Sequence, residues 1–251
     1  MDLATAIPIP RPRRNRRFAE RCFFCAMAAA ILATVFVGFA PSFYLKGVVP
    51  GTRPLFPLTP LVIFHGCAFT GWVVLLAVQT ALVTAGRVDL HRRLGLFGAG
   101  LAALMVAVGI MTAIYAAKRG SHPPGTDSLH FLVVPLFDIS VFALLVFLGV
   151  RARRDPPAHK RLMLLSTLAI LTAAVARWPL AIMHAGPIAF FSVSDLFLLP
   201  LLAFDLATLG RIHRASLLGI GAIVISQPLR LAIAGTGAWL AFAGWLVSLV
   251  S

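Results

Sequence analysis

The sequence predicts an all-α polytopic membrane protein with about seven transmembrane helices. A central four-helix bundle is expected from a tandem two-helix repeat, with a short interfacial helix at the C-terminus. Three observations carry this expectation. The chain of 251 residues is 60% hydrophobic and only 12% charged, against about 25% charged residues in soluble domains. Its mean hydropathy is +0.94, and apolar runs near the length of a bilayer-spanning helix recur along it. Those runs are far too long for barrel strands, and backbone in lipid must satisfy its own hydrogen bonds, so the spans are helices.

Residues 1–17, MDLATAIPIPRPRRNRR, are rich in Pro and Arg and read as a disordered cytoplasmic tail. The remainder, 18–251, reads as one transmembrane domain. The first apolar run, 22–43, exceeds a signal-peptide core and has no small-x-small cleavage site, so it reads as a retained span. Further spans are expected at 60–84, 91–117, 129–150, 158–184, 193–209 and 215–233. Thr59-Pro60, Asp89, Asp127 and Asp155-Pro156 have the chemistry of helix starts. Residues 236–250, TGAWLAFAGWLVSLV, follow a Gly-rich break, and Trp239 and Trp245 suit a membrane interface. Cys22 and Cys25 form a C-x-x-C without a second ligand pair, and Cys67 falls inside a span. All three read as lipid-facing thiols, not as a disulfide or metal framework.

The net charge of +14 does not point to nucleic acid, because the basic residues sit in short clusters between apolar runs. With the N-terminus inside, the inner segments hold Arg11, Arg13, Arg14, Arg16, Arg17 and Arg21, then Arg87, Arg92 and Arg93. They also hold Arg151, Arg153, Arg154, Lys160, Arg161, Arg211 and Arg214. The outer ones hold Lys46, Arg53, Lys118 and Arg119. This bias predicts a bacterial inner-membrane protein with a cytoplasmic N-terminus and a periplasmic C-terminus. Anionic lipid at the cytoplasmic face is a sufficient partner for the basic loops.

One basic phrase is written twice: His91-Arg92-Arg93-Leu94 and His159-Lys160-Arg161-Leu162. Each begins the second helix of a hairpin whose first helix also starts with a His, His65 and His130. The offsets are 65 and 68 residues. The four helices over about 60–184 therefore read as a duplicated unit, and such repeats often place a site at their interface. His65 lies about 19 residues, or roughly 29 Å, from the far end of its helix. His65 and His130 thus share the outer face, and His91 and His159 the inner one. Alternate helices of a four-helix bundle are diagonal, so each pair can face across the core.

Four histidines at helix starts, with basic residues beside the inner pair, resemble the two-haem b-type membrane cytochromes. That resemblance implies haem b held by His65 with His130 and by His91 with His159. Arg92, Arg93, Lys160 and Arg161 would pair with propionates. A helix N-terminus disfavours imidazolium and keeps such a His neutral. In that family the ligands sit deeper in the helices than His91 and His159 do here. The phrases GRVDLHRRLG and SQPLRLAIAGTGAW are also similar to uncharacterised bacterial multi-pass membrane proteins, which brings no activity with it. The alternative for HRRL and HKRL is a pair of duplicated positive-inside anchors.

Ionisable groups at membrane depth are costly and face the protein interior. Asp138 and Arg177 are placed at similar depth in neighbouring spans, and an ion pair between them is expected. Arg230 follows Pro228, which should kink its helix, with Ser226 and Gln227 able to satisfy the freed groups. His184 and Asp195 flank the outer loop between the fifth and sixth spans. Together with His65 and His130 these residues suggest an outward-facing polar cavity. It reads as a site for an anionic or quinone-like ligand, or as a buried ion-pair network. This outer group ranks ahead of the inner pair as a site. Gln79 and Asp205 are expected to make a small separate contact. Trp72 and the many Phe residues read as packing.

No Walker-type loop, H-E-x-x-H motif or G-x-S-x-G elbow is present, so hydrolytic catalysis has no visible machinery. Three functions remain open on the sequence: an electron carrier near the quinone pool, an accessory subunit of a membrane complex, and a transporter or binding protein using the outer cavity.

Overall fold

The computed structural model describes residues 13–50, 57–123 and 126–250, with side chains from Arg17 onward. The expected disordered tail, its arginines before Arg17 and the outer-loop Arg53 lie outside these described residues or side chains. Eleven α-helices occur among the described residues: α1 (Arg13–Phe39), α2 (Pro60–Thr84), α3 (Val88–Lys118), α4 (Ser128–Phe131), α5 (Val133–Arg151), α6 (Pro156–Ala169), α7 (Thr172–Val175), α8 (Pro187–Asp195), α9 (Leu199–Leu209), α10 (Arg214–Ala234) and α11 (Gly237–Ser248). The first ten assemble into seven segments long and apolar enough to cross a membrane, at Arg17–Tyr44, Pro60–Thr84, Val88–Lys118, Ser128–Arg154, Pro156–Val175, Pro187–Leu209 and Arg214–Ala234, and α11 is a shorter apolar helix. The protein is a membrane-embedded helical protein.

Local chemistry sets most boundaries. Thr59 accepts from the Val62 amide (3.4 Å), with Pro60 at the first helical position, where its missing donor costs nothing. Asp127 accepts from the amides of Leu129 (2.9 Å) and His130 (3.3 Å). Asp155 caps α6 through Ala158 (3.4 Å). Asp89, expected as a cap, is not one: α3 begins at Val88, and Asp89 sits in its first turn, 3.7 Å from Arg87. There it complements the helix dipole instead. Pro135 leaves the Phe131 carbonyl without its helical donor, and the N-terminal end of the fourth span divides there into α4 and α5.

The fifth span ends earlier than expected, at Val175 instead of 184. Pro179 disfavours helix at its own position and at the residue before it. A loop and a 3₁₀ turn, Ala181–Ala185, follow. Gly186, at φ +93°, adopts a backbone conformation that side chains resist, and Pro187 starts α8. The sixth span therefore begins six residues before the expected 193. Arg177 moves out of the fifth span into the loop, and Asp195 lies deeper in the sixth span than expected, at the end of α8.

The core is a ring of four helices. α2 packs on α3, α3 on α5, and α5 on α6. The buried Trp72 closes the fourth side by donating from Nε1 to Thr167 Oγ1 on α6 (3.0 Å). Trp72 is thus a polar tie as well as packing. In this ring α2 lies diagonal to α5 and α3 to α6. α1 and α10 pack outside it, α1 against α2 and α7, and α10 against α5 and α6. Gly38 lets α1 approach closely: a Cβ there would lie 2.3 Å from the Ala174 carbonyl oxygen. α11 turns back at Thr236, whose hydroxyl caps it, and packs on α3 and α4. Trp239 points inward, donating to the Leu129 carbonyl (2.9 Å), while Trp245 stays exposed. Cys22 and Cys67 are exposed free thiols, and Cys25 is half-buried.

Candidate functional site

The two copies of the basic phrase meet at one end of the bundle. His91 and His159 each lie in the first turns of their helices, α3 and α6, on the diagonal of the ring. Their ring centres are 6.2 Å apart and their planes are nearly perpendicular, at 83°. His159 Nδ1 is hydrogen-bonded to the Gly149 carbonyl (2.8 Å). A carbonyl can only accept, so Nδ1 carries the proton, and in the neutral form of the ring the lone pair is then on Nε2. Gly149 permits this geometry, since a Cβ there would sit 2.8 Å from Met163 Sδ. His91 Nδ1 is buried without a partner. The Gln79 side chain donates to the backbone carbonyl of His91 (3.2 Å).

The basic residues of the phrases divide. Arg92 and Arg93 are exposed. Lys160 pairs with Glu20 on α1 and lies over the Phe24 ring. Arg161 is only 2% exposed, which sequence reasoning missed by counting it among loop cations. Its Nε donates to Asp205 (2.9 Å) and its Nη1 to the Pro157 carbonyl (2.8 Å). The other Asp205 oxygen accepts from the Ser216 hydroxyl (2.6 Å) and the His213 amide (3.0 Å). This network ties α6, α9 and α10 together. The expected Gln79–Asp205 contact does not form: the Gln79 amide group donates to the His91 carbonyl, and Asp205 is held by Arg161, Ser216 and His213. A lone acid in an apolar sixth span was the available signal that a buried cation must exist.

His213, just before α10, accepts from the Ala215 amide through Nδ1 (3.1 Å). Burial, and then the positive charge of Arg161, hold its pKa below the ordinary value.

The opposite end is arranged differently from expectation. Asp138 pairs with Arg230 of α10, not with Arg177. With the fifth helix ended at Val175, Arg177 bonds the Ala173 carbonyl and lies over the Phe39 ring, 4.8 Å from its centre. Arg230 is 2% exposed and also donates to the Ser226 carbonyl (3.1 Å), the Ser226 hydroxyl (2.7 Å) and the Val134 carbonyl (3.4 Å). Phe137 and Phe191 flank it. Gln227 donates to Asp195 (2.8 Å) and does not serve the carbonyl freed by Pro228.

His65 and His130 stand apart from this cluster. His65 stacks on Phe69 (4.0 Å) with its Nδ1 buried and unpartnered. His130 is exposed and bonds Asp127 (3.1 Å). That bond, with the amide donors at the helix start, holds the Asp127 pKa below the usual value. No ring contact joins His65 to His130 among the described residues. His184 is exposed on the 3₁₀ turn.

Two imidazoles on opposite sides of one metal ion, with metal–nitrogen bonds of about 2.0–2.1 Å, place their ring centres roughly 6 Å apart. The His91–His159 spacing has that value. Among the described residues no group of three or more His, Cys, Asp or Glu is placed to hold a metal ion. A paired-imidazole donor set fits an ion whose remaining ligands come from a macrocycle.

The fold and these groups define a multi-pass helical membrane protein with one juxtaposed histidine pair. No family model, no curated protein and no solved structure matches the chain.

Proposed function

We propose that the protein is a b-type haem electron carrier of the bacterial inner membrane, in which His91 and His159 would hold the haem. One observation carries the reading: two first-turn histidines from diagonal helices lie 6.2 Å apart, centre to centre. The bound group would supply one-electron chemistry. The chain supplies two imidazoles, one oriented by a backbone carbonyl, as ligating histidines commonly are. Arg92 and Arg93 remain exposed beside them and are the candidates for propionate binding. The positive-inside bias supports placing this end at the cytoplasmic face. There the basic loops would meet anionic lipid, and quinone or another membrane protein would be the redox partner.

The Asp138–Arg230 cluster is better read as a structural tie than as a transport or ligand site. The hydrogen bonds of Arg230 occupy Nε once, Nη1 twice and Nη2 once. Of the five guanidinium N–H groups, one remains for a ligand. The test is the reduced-minus-oxidised optical spectrum of the full chain after haem-replete expression. Soret and alpha bands are expected, and their absence overturns the reading.

A further inference from the structure

We infer that Gln79 is the positioning residue of His91, and that it sets the tautomer and ring orientation of that histidine for ligation. The inference rests on the haem reading above. The two hairpins treat their histidines alike in one respect. In the second, a carbonyl near the end of the preceding helix, that of Gly149, accepts a hydrogen bond from the Nδ1–H of His159. In the first, Gln79 lies towards the end of α2, and its side-chain Nε2 holds the His91 carbonyl at 3.2 Å.

Two buried polar atoms without partners lie on these same two residues, His91 Nδ1 and Gln79 Oε1. Buried polar groups are nearly always bonded, and each exception calls for a reason. Here the donor of one residue and the acceptor of the other are the missing complements. A hydrogen bond between them, direct after a small rotation of the His91 ring or through one water, would satisfy both and hold the ring. Gln79 also packs beside Gly95, where a Cβ would come 3.7 Å from its Nε2. Its side chain is therefore held between α2 and α3 and not free in a loop.

The test titrates hemin into the full-length chain in detergent, comparing wild type, Gln79→Leu, Gln79→Glu and Thr80→Val. The Thr80 hydroxyl bonds only carbonyls of its own helix, so Thr80→Val controls for disturbance of α2. Partners of ligating histidines are worth about 10–100-fold in metal affinity. Gln79→Leu is expected to weaken hemin binding by that factor and to change the anisotropy of the ferric low-spin EPR signal, which reports the angle between the axial rings. Gln79→Glu, which keeps an acceptor, is expected to recover most of the affinity, and Thr80→Val to behave as wild type. Unchanged affinity and EPR anisotropy in both Gln79 variants overturn the inference and leave the haem reading standing. Failure of the wild type to bind hemin through two histidines overturns both.

Discussion

His91 and His159 approach each other across the diagonal of the bundle, ring centre to ring centre at 6.2 Å, although 68 residues separate them in the chain. Neither hairpin alone can make this pair. It requires the ring of four helices to close, which Trp72 and Thr167 do with a buried hydrogen bond. The remaining packing around that ring yields predictions that do not depend on any cofactor.

The Arg161–Asp205 pair is buried at both ends, at 2% and 0% exposure. Asp205→Ala leaves a guanidinium with its remaining bond to Pro157 and no counter-charge. Breaking a buried pair in this way costs about 3–5 kcal/mol. A denaturant series in mixed micelles should show a loss of that order. The double variant Arg161→Met, Asp205→Leu should recover most of it, since no charge is then left buried.

Arg230 and Arg177 should behave oppositely. Arg230→Met strands Asp138 and Ser226 in an apolar setting, and a loss of about 3–5 kcal/mol is expected. Arg177→Ala removes an exposed group, and surface changes usually stay within about 0.5 kcal/mol. Equal losses in the two variants, measured by the same unfolding assay, would contradict the assignment of Arg230 as the partner of Asp138.

Gly38→Ala should destabilise by about 1–3 kcal/mol or more. The added methyl meets the backbone carbonyl of Ala174, which cannot swing aside as a side chain can. Thermal unfolding followed by helical ellipticity checks this. Gly100→Ala, with open space at the same test position, should be neutral or mildly stabilising.

His213 gives a pH dependence with a definite sign. Its folded pKa lies below the ordinary value, so the unfolded chain binds more protons and stability rises with pH. The contribution is complete above the ordinary His range, near 6.5, and is lost as pH falls through the lowered folded value. Protonation also removes the Nδ1 lone pair that accepts from Ala215. His213→Asn, which can cap without titrating, should flatten this part of the stability profile.

Composition and hydropathy made the seven spans legible, because lipid leaves the backbone no alternative to long apolar helices. The duplicated phrase made the diagonal pairing legible, because the histidine offsets match the repeat. Partner choice at depth was not legible. Asp138 was assigned to Arg177 because periodicity carried the fifth helix through residue 184. Pro179 ends that helix and lifts Arg177 out, and only the packing of α10 on α5 brings Arg230 in. Arg161 was misplaced for a similar reason. A cation two residues after a histidine at a loop reads as solvated, yet α6 turns that position towards Asp205. The outer group of seven residues looked convergent by depth alone. Depth does not fix rotation about the helix axis, and the structure gathers Asp138, Asp195, Gln227 and Arg230 while His130 and His184 face outward.

The most direct test of the account is the reduced-minus-oxidised difference spectrum of wild type beside His91→Ala, His159→Ala, His65→Ala and His130→Ala. The account predicts Soret and alpha bands in the wild type that disappear in both His91→Ala and His159→Ala and persist in the other two. Absence of bands in the wild type, or bands that survive loss of either His91 or His159, would contradict it.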